Sequence, residues 1–175
     1  YKAGNGATGS DVIDTLTTLN ASAYTLMNSS TANSSFTKSG YTITGWAATD
    51  GGAISKNLGA AYSTLANLTL FPVWTINTYT ITGNAGANGT ITGTGTFNRG
   101  SNKTVTINPN TGYKVASITV DSVALSGTDL TNAIASGVTF NPLTANHTVA
   151  ATFSVNTYTV TYKHGANATG SDVQQ

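Results

Sequence analysis

The sequence has no cysteine and no glutamate, and seven Lys/Arg with six Asp are its only charged side chains in 175 residues. At 7% charged and a net charge of +1, it is far below the usual share of about 25%. Each shortage excludes something. Without cysteine there is no disulfide framework and no thiolate metal site. Seven scattered cations make no basic stripe, so a nucleic-acid partner is not expected. No apolar run approaches the roughly 18 residues of a membrane span, and no segment reads as a signal peptide. Glutamine occurs only as Gln174 and Gln175, and with Glu missing and Lys and Arg few, long helices are not expected. What fills the sequence instead is Ser and Thr, 50 together, with 18 Asn and 19 Gly.

Comparison of the sequence with itself gives its organisation. Ile76-Asn77-Thr78-Tyr79-Thr80-Ile81-Thr82 returns 79 positions later as Val155-Asn156-Thr157-Tyr158-Thr159-Val160-Thr161. At the same offset, Thr69 and Trp74 correspond to Thr148 and Phe153. A second offset of 161 aligns Tyr1–Val12 with Tyr162–Val173, nine of twelve positions being identical. The last residues thus repeat the start of the first module, preceded by a strand with no counterpart before Tyr1. The first module is therefore expected to lack its own first strand, while a surplus copy stands at the other end.

Alternation of β-branched and aromatic residues with Thr and Ser marks half-buried strands, and the antiparallel pattern is the expected one. It runs through Leu68–Trp74, Tyr79–Ile81, Thr104–Ile107, Tyr113–Val120, Thr139–Phe140 and Thr148–Phe153. Asn108-Pro109-Asn110-Thr111-Gly112 has the composition of a turn. Only Asp11–Leu19 and Asp129–Ala135 suggest a helical turn. The fold class is all-β, in two tandem modules of about eighty residues, a size that folds alone around a modest core. The domains read as 1–76, 77–155 and a linking strand with the start of a further repeat at 156–175. Tyr41, Trp46, Phe71, Trp74, Tyr113 and Phe153 are the expected core anchors, because large aromatics dominate burial in small modules.

Chemistry is scarce. His147 and His164 are the only histidines, and neither stands at helical spacing from a carboxylate. A metal site needs several convergent ligands, so structural or solvent-exposed roles are expected for both. Asp50-Gly51-Gly52 and Asp121-Ser122 could each give one oxygen to Ca²⁺, but the spacing of a calcium loop is missing and a turn role is expected. A Lys–Asn isopeptide crosslink assisted by Asp is conceivable, with nothing to bring the three together. No nucleophile elbow or phosphate loop is present. The reading is a non-enzyme without metal or cofactor. Asn-x-Ser/Thr occurs at Asn20, Asn28, Asn33, Asn67, Asn88, Asn102, Asn146 and Asn167, candidate N-glycosylation sites. Chance alone gives roughly five such triplets at this composition, so the motif carries little weight.

The first module resembles the Listeria–Bacteroides repeat, the internalin-B-type B-repeat of bacterial and some archaeal surface proteins. The likeness is carried by Asn5-Gly6-Ala7-Thr8-Gly9, Lys38–Trp46 with its Gly-Tyr-x-x-x-Gly-Trp string, Asp50-Gly51-Gly52, and Leu68–Trp74. The second module is similar to the divergent form through Gly86–Ile91, Gly100–Ile107, Gly112–Val115 and Asn146–Phe153. The resemblance implies a β-grasp-like or sandwich-like module serving as an extracellular spacer on cell-surface proteins.

The expected function follows from the displaced strand. Inserted into the first module of the next copy, it would complete that module's ladder and core by strand addition. The contact is head-to-tail and propagates into a filament or sheath, with copies of the same chain as partners. Asn156, Thr157, Tyr158, Thr159, Val160, Thr161 and Tyr162 form the assembly strand, Tyr158 and Val160 being its inward anchors. The alternative is a segment of a long tandem-repeat adhesin or stalk, completed by adjacent repeats of the same chain, with the aromatics and loops open to a glycan.

Overall fold

The structure is a computed structural model describing residues 1–14, 24–64, 66–163, 165–166, 169–171 and 173–174. It divides into two compact units, Tyr1–Thr78 and Tyr79–Gln175, called modules one and two below. Strands dominate both, as the all-β reading expects, with two short helices.

Module one contains β1 (Tyr24–Thr25), α1 (Ser29–Ser35), β2 (Tyr41–Ala47), β3 (Ala61–Tyr62) and β4 (Phe71–Ile76). β2 and β4 pair antiparallel, and β1 pairs with β3. A bulge in β2 between Ile43 and Gly45 inserts one extra residue and shifts the inward phase. Ile43 before the bulge and Trp46 after it, an odd number of residues apart, are therefore both buried. The core gathers Leu26, Met27, Ala32, Phe36, Ile43, Trp46 and Leu70, with Trp74 packed against it.

Helix α1 is unexpected, since Ser-Ser-Thr-Ala-Asn-Ser-Ser is a poor helix sequence. It is held from outside. The side chain of Asn28 caps it by accepting from the Thr31 N–H at 3.0 Å. Ala32 faces the core, and the Asn33 carboxamide accepts from the Ile43 N–H of β2. The second anticipated helical turn is present as α2, described next. The first, Asp11–Leu19, shows no helix over residues 11–14, and its remainder lies outside the described residues.

Module two runs β5 (Thr78–Ala85), β6 (Gly89–Thr92), β7 (Gly95–Asn98), β8 (Lys103–Pro109), β9 (Tyr113–Val120), β10 (Val123–Ala124), α2 (Gly127–Ser136), β11 (Val138–Phe140) and β12 (His147–Val155). One sheet has the order β10-β9-β12-β5-β7 and the other β11-β8-β6. Ile81, Ile118, Val149 and Ala151 from the first sheet meet Val105, Ile107 and Phe140 from the second, with Ala133 of α2 and Leu143, in one core. The pattern along the sequence suggested antiparallel pairing throughout. β5 and β12, the first and last strands of this module, instead pair in parallel. Period-2 alternation fixes which face a residue takes but not the direction of its neighbour.

The segment after β12 contains β13 (Thr161–Tyr162) and β14 (Val173–Gln174), which pair antiparallel with Tyr162 opposite Val173. Among the described residues no helix is long and apolar enough to cross a membrane.

Candidate assembly site

The geometry of interest starts from the parallel pair in module two. There His147 lies opposite Ile81, Thr148 opposite Thr82, Val149 opposite Gly83 and Ala151 opposite Ala85. Ile81 is fully buried and Tyr79, two residues earlier on the same face, packs against the core. β5 is thus an integral wall of its module, with β12 between it and β9.

In module one the segment 79 positions before β12 is residues 68–76, and part of the same ladder is visible. The Lys2 N–H donates to the Leu70 carbonyl at 2.9 Å. This matches the Gly86 N–H donating to Ala151 one step past the Ala85–Ala151 pair. Tyr1–Ala3 therefore occupy the place that Gly83–Ala85 fill in β5. Next to them opens a groove of about 660 Å³ whose lining includes Tyr1, Val12, Tyr24, Leu26, Tyr62 and Leu68. Leu68 is exposed there, and Leu70 is buried. Burial pushes the Tyr24 phenol above its usual range, and the hydrogen bond it donates to Asp14 adds to the shift. Tyr24 accordingly lines the groove as a neutral, amphipathic wall.

The segment that repeats β5 is exposed over residues 157–162 but, against the expectation of a strand, forms one only at Thr161–Tyr162, and the Asn156 N–H donates to the Gly112 carbonyl at 2.8 Å. Tyr158 is 81% exposed, Val160 54% and Tyr162 61%. Their equivalents are placed differently: Tyr79 and Ile81 pack into module two, and Tyr1 lies over Trp46 in module one. The two ends also share a local fold. At the head, Val12 N–H donates to the Tyr1 carbonyl at 3.0 Å, and the Tyr1 ammonium donates to the Val12 carbonyl at 2.8 Å. At the tail, Tyr162 and Val173 form the same cross-strand pair, 161 positions on.

The expected aromatic anchors divide. Trp46 is the centre of module one, and Trp74 and Phe153 pack against their cores. Phe71 and Tyr113 are half-buried and stand outside both clusters. Tyr41 is a correction: it sits at the surface at the end of β2, opposite Ile76, with Lys38 Nζ 4.7 Å over its ring. Its position at the end of the strand, past the core, outweighs its being on Ile43's face. Phe36, Leu26 and Met27, which the sequence reading passed over, fill the core instead.

Of the polar candidates, Asp121 accepts from His147 Nδ1 at 2.7 Å and from the Thr148 N–H at 2.8 Å. These contacts hold its carboxyl below the usual carboxylate range, the histidine contributing most. His147 also stacks on Phe140 at 4.2 Å. Asp50 accepts from the Asn5 N–H at 2.7 Å. Asp121 thus ties a turn to β12, and Asp50 ties one turn to another. His164, Asn20 and Asn167 lie outside the described residues. Asn67, Asn88 and Asn102 are exposed. Asn28, Asn33 and Asn146 spend their carboxamide oxygens on the backbone of Thr31, Ile43 and Thr80. Asn33 also donates its amide nitrogen to the Ser29 carbonyl within α1, so a glycan on that nitrogen would compete with that bond.

Two β modules, one with a groove beside Leu68–Leu70 and one whose first strand recurs in sequence after β12, make this a β-rich repeat protein. Residues 79–157 match the family model of the divergent InlB B-repeat domain. Searches among curated proteins and among solved structures found no match.

Proposed function

We propose that this chain is an extracellular structural protein, a repeat unit of a cell-surface filament or sheath joined head to tail by strand complementation through residues 156–173. One observation carries the reading: β5 completes module two by parallel pairing with β12, and residues 157–161 of its sequence repeat are solvent-exposed while module one has a groove beside Leu68–Leu70. Burying Tyr158 and Val160 there supplies the apolar driving force, each such side chain contributing about 1.5–3 kcal/mol on full burial. A net charge of +1 sets little repulsion against self-association. In this reading copies of the chain are the partners, and there is neither a catalytic step nor a cofactor.

Sedimentation and electron microscopy of the 175-residue chain test it. Concentration-dependent polymers are expected from the chain as given, and only monomers from a chain ending at residue 155. Val160→Asp, at an exposed position, should also stop growth without unfolding either module. Polymers from the truncated chain would sink the mechanism.

A second reading has its own support, since the Tyr162–Val173 pair repeats the Tyr1–Val12 pair. The same joint made within one continuous polypeptide would build a stalk or adhesin from a 161-residue repeat. Intact mass of the native chain separates the two: about 18 kDa for subunits, and a multiple of the repeat for an array.

A further inference from the structure

We infer that the groove of module one is a strand seat with a fixed register, taking Asn156–Thr161 of a second copy with Val160 opposite Leu68 and Thr161 opposite Thr69. The inference rests on the head-to-tail reading and specifies its contact. The register is transferred from module two, where His147 faces Ile81 and Thr148 faces Thr82. Those four residues correspond to Leu68, Val160, Thr69 and Thr161 at the 79-residue offset. The hydrogen bond from Lys2 to Leu70 fixes the same phase independently, because it continues this ladder one step further along.

The register decides which side chains enter. Ile81 and Tyr79 both face the core of module two, so Val160 and Tyr158 face the groove of module one. Leu26, Tyr24 and Tyr62 would line that side. Asn156, Tyr158 and Val160 form one face and Thr157, Thr159 and Thr161 the other, which is the polar, solvent-facing side of β5 as well. Thr78, Thr80 and Thr82 are exposed in module two. A slip by one residue would bury three threonines and expose both apolar groups, so the seat discriminates strongly between registers.

The test attaches Asn-Thr-Tyr-Thr-Val-Thr directly before Tyr1 of the full chain. A control attaches Thr-Asn-Thr-Tyr-Thr-Val, the same composition shifted by one position. The first fusion should raise the unfolding temperature of module one by about 5–10 °C and slow amide exchange at Leu68 and Leu70. It should also cap polymer growth when mixed with the unmodified chain, because its seat is filled. The shifted control should do none of these. No stabilisation from the first fusion, or equal stabilisation from both, would overturn the inference. Stabilisation is read in dilute monomer, so an unmodified chain that never polymerises would count against the head-to-tail reading while leaving the seat intact.

Discussion

The rings of Tyr1 and Trp46 lie 4.7 Å apart at 57°, and the two residues hold opposite ends of one backbone unit. Trp46 Nε1 donates to the Met27 carbonyl at 3.2 Å, and the Tyr1 hydroxyl accepts from the Met27 N–H at 3.0 Å. The head of the chain is thereby joined to the core of module one through a shared partner. Phe36 closes the other side of the indole, edge-on at 6.2 Å.

This arrangement makes Trp46 the most sensitive position in module one. Trp46→Ala removes a fully buried side chain and should cost about 3–5 kcal/mol. Trp46→Phe keeps much of the apolar volume and removes one of two donors to the Met27 carbonyl, which the Gly59 N–H still serves at 3.1 Å, a loss of about 0.5–1.5 kcal/mol. Urea unfolding of module one checks both values. Module two should be unaffected, since its core is a separate cluster.

Gly137 ends α2 with φ at 84° and leads directly into β11. A Cβ there would stand 2.5 Å from the carbonyl oxygen of Val105 in β8, which is backbone and cannot swing away. Gly137→Ala should therefore cost about 1–3 kcal/mol from the left-handed conformation alone, with the clash adding to it. Its effect should appear as a lower unfolding temperature of module two.

The repeat, the β-rich class and most strands of module two could be read directly, because offsets and alternation are properties of sequence order. Three features could not. Helix α1 arises from the Asn28 cap, a local signal that the poor helix formers behind it outweigh in the sequence, and from contacts of Ala32 and Asn33 with the rest of module one, which local propensity does not encode. The β2 bulge resets the inward phase, so both Ile43 and Trp46 are buried where strict alternation would place them on opposite faces. The parallel partnership of β5 and β12 is set by chain path. As for the candidate site, the segment 156–161 was legible as a duplicate of β5's sequence though not as the irregular chain it is before Thr161, while the groove itself depends on where Tyr24, Tyr62 and Val12 come to lie.

Asp121 gives module two a small acid sensitivity. Its folded pKa is depressed, so the stability it contributes is present above the unfolded value of about 3.9 and is lost as pH falls through the folded value. The carboxyl is half-exposed, and solvent screening keeps the contribution within about 1 kcal/mol. Asp121→Asn should lower the unfolding temperature slightly at pH 7, and the difference from wild type should shrink as pH falls through the folded value. A difference that persists undiminished at pH 2 would point to packing rather than to charge.

The duplicate hairpins set up a competition that can be blocked covalently. A strand seated through Thr161 reaches, at its next residue, the place Tyr1 holds over Trp46, and Tyr162 is the same residue type with the same Val partner. In the proposed head-to-tail joint, full joining would exchange Tyr1–Val12 for Tyr162–Val173 of the incoming copy. The head segment is fastened to the module at Thr8 and Thr37, which exchange both backbone hydrogen bonds at 2.8 and 2.9 Å. Their hydroxyls are 2.6 Å apart. Such a pair has its Cα atoms about 5.5 Å apart, within the range a disulfide spans. In this cysteine-free chain, Thr8→Cys with Thr37→Cys should form one bridge and no others. Oxidised, the variant should elongate at least tenfold more slowly than wild type in light scattering, and dithiothreitol should restore the rate. Equal rates in both redox states would mean that the head hairpin stays in place while the tail adds beside it.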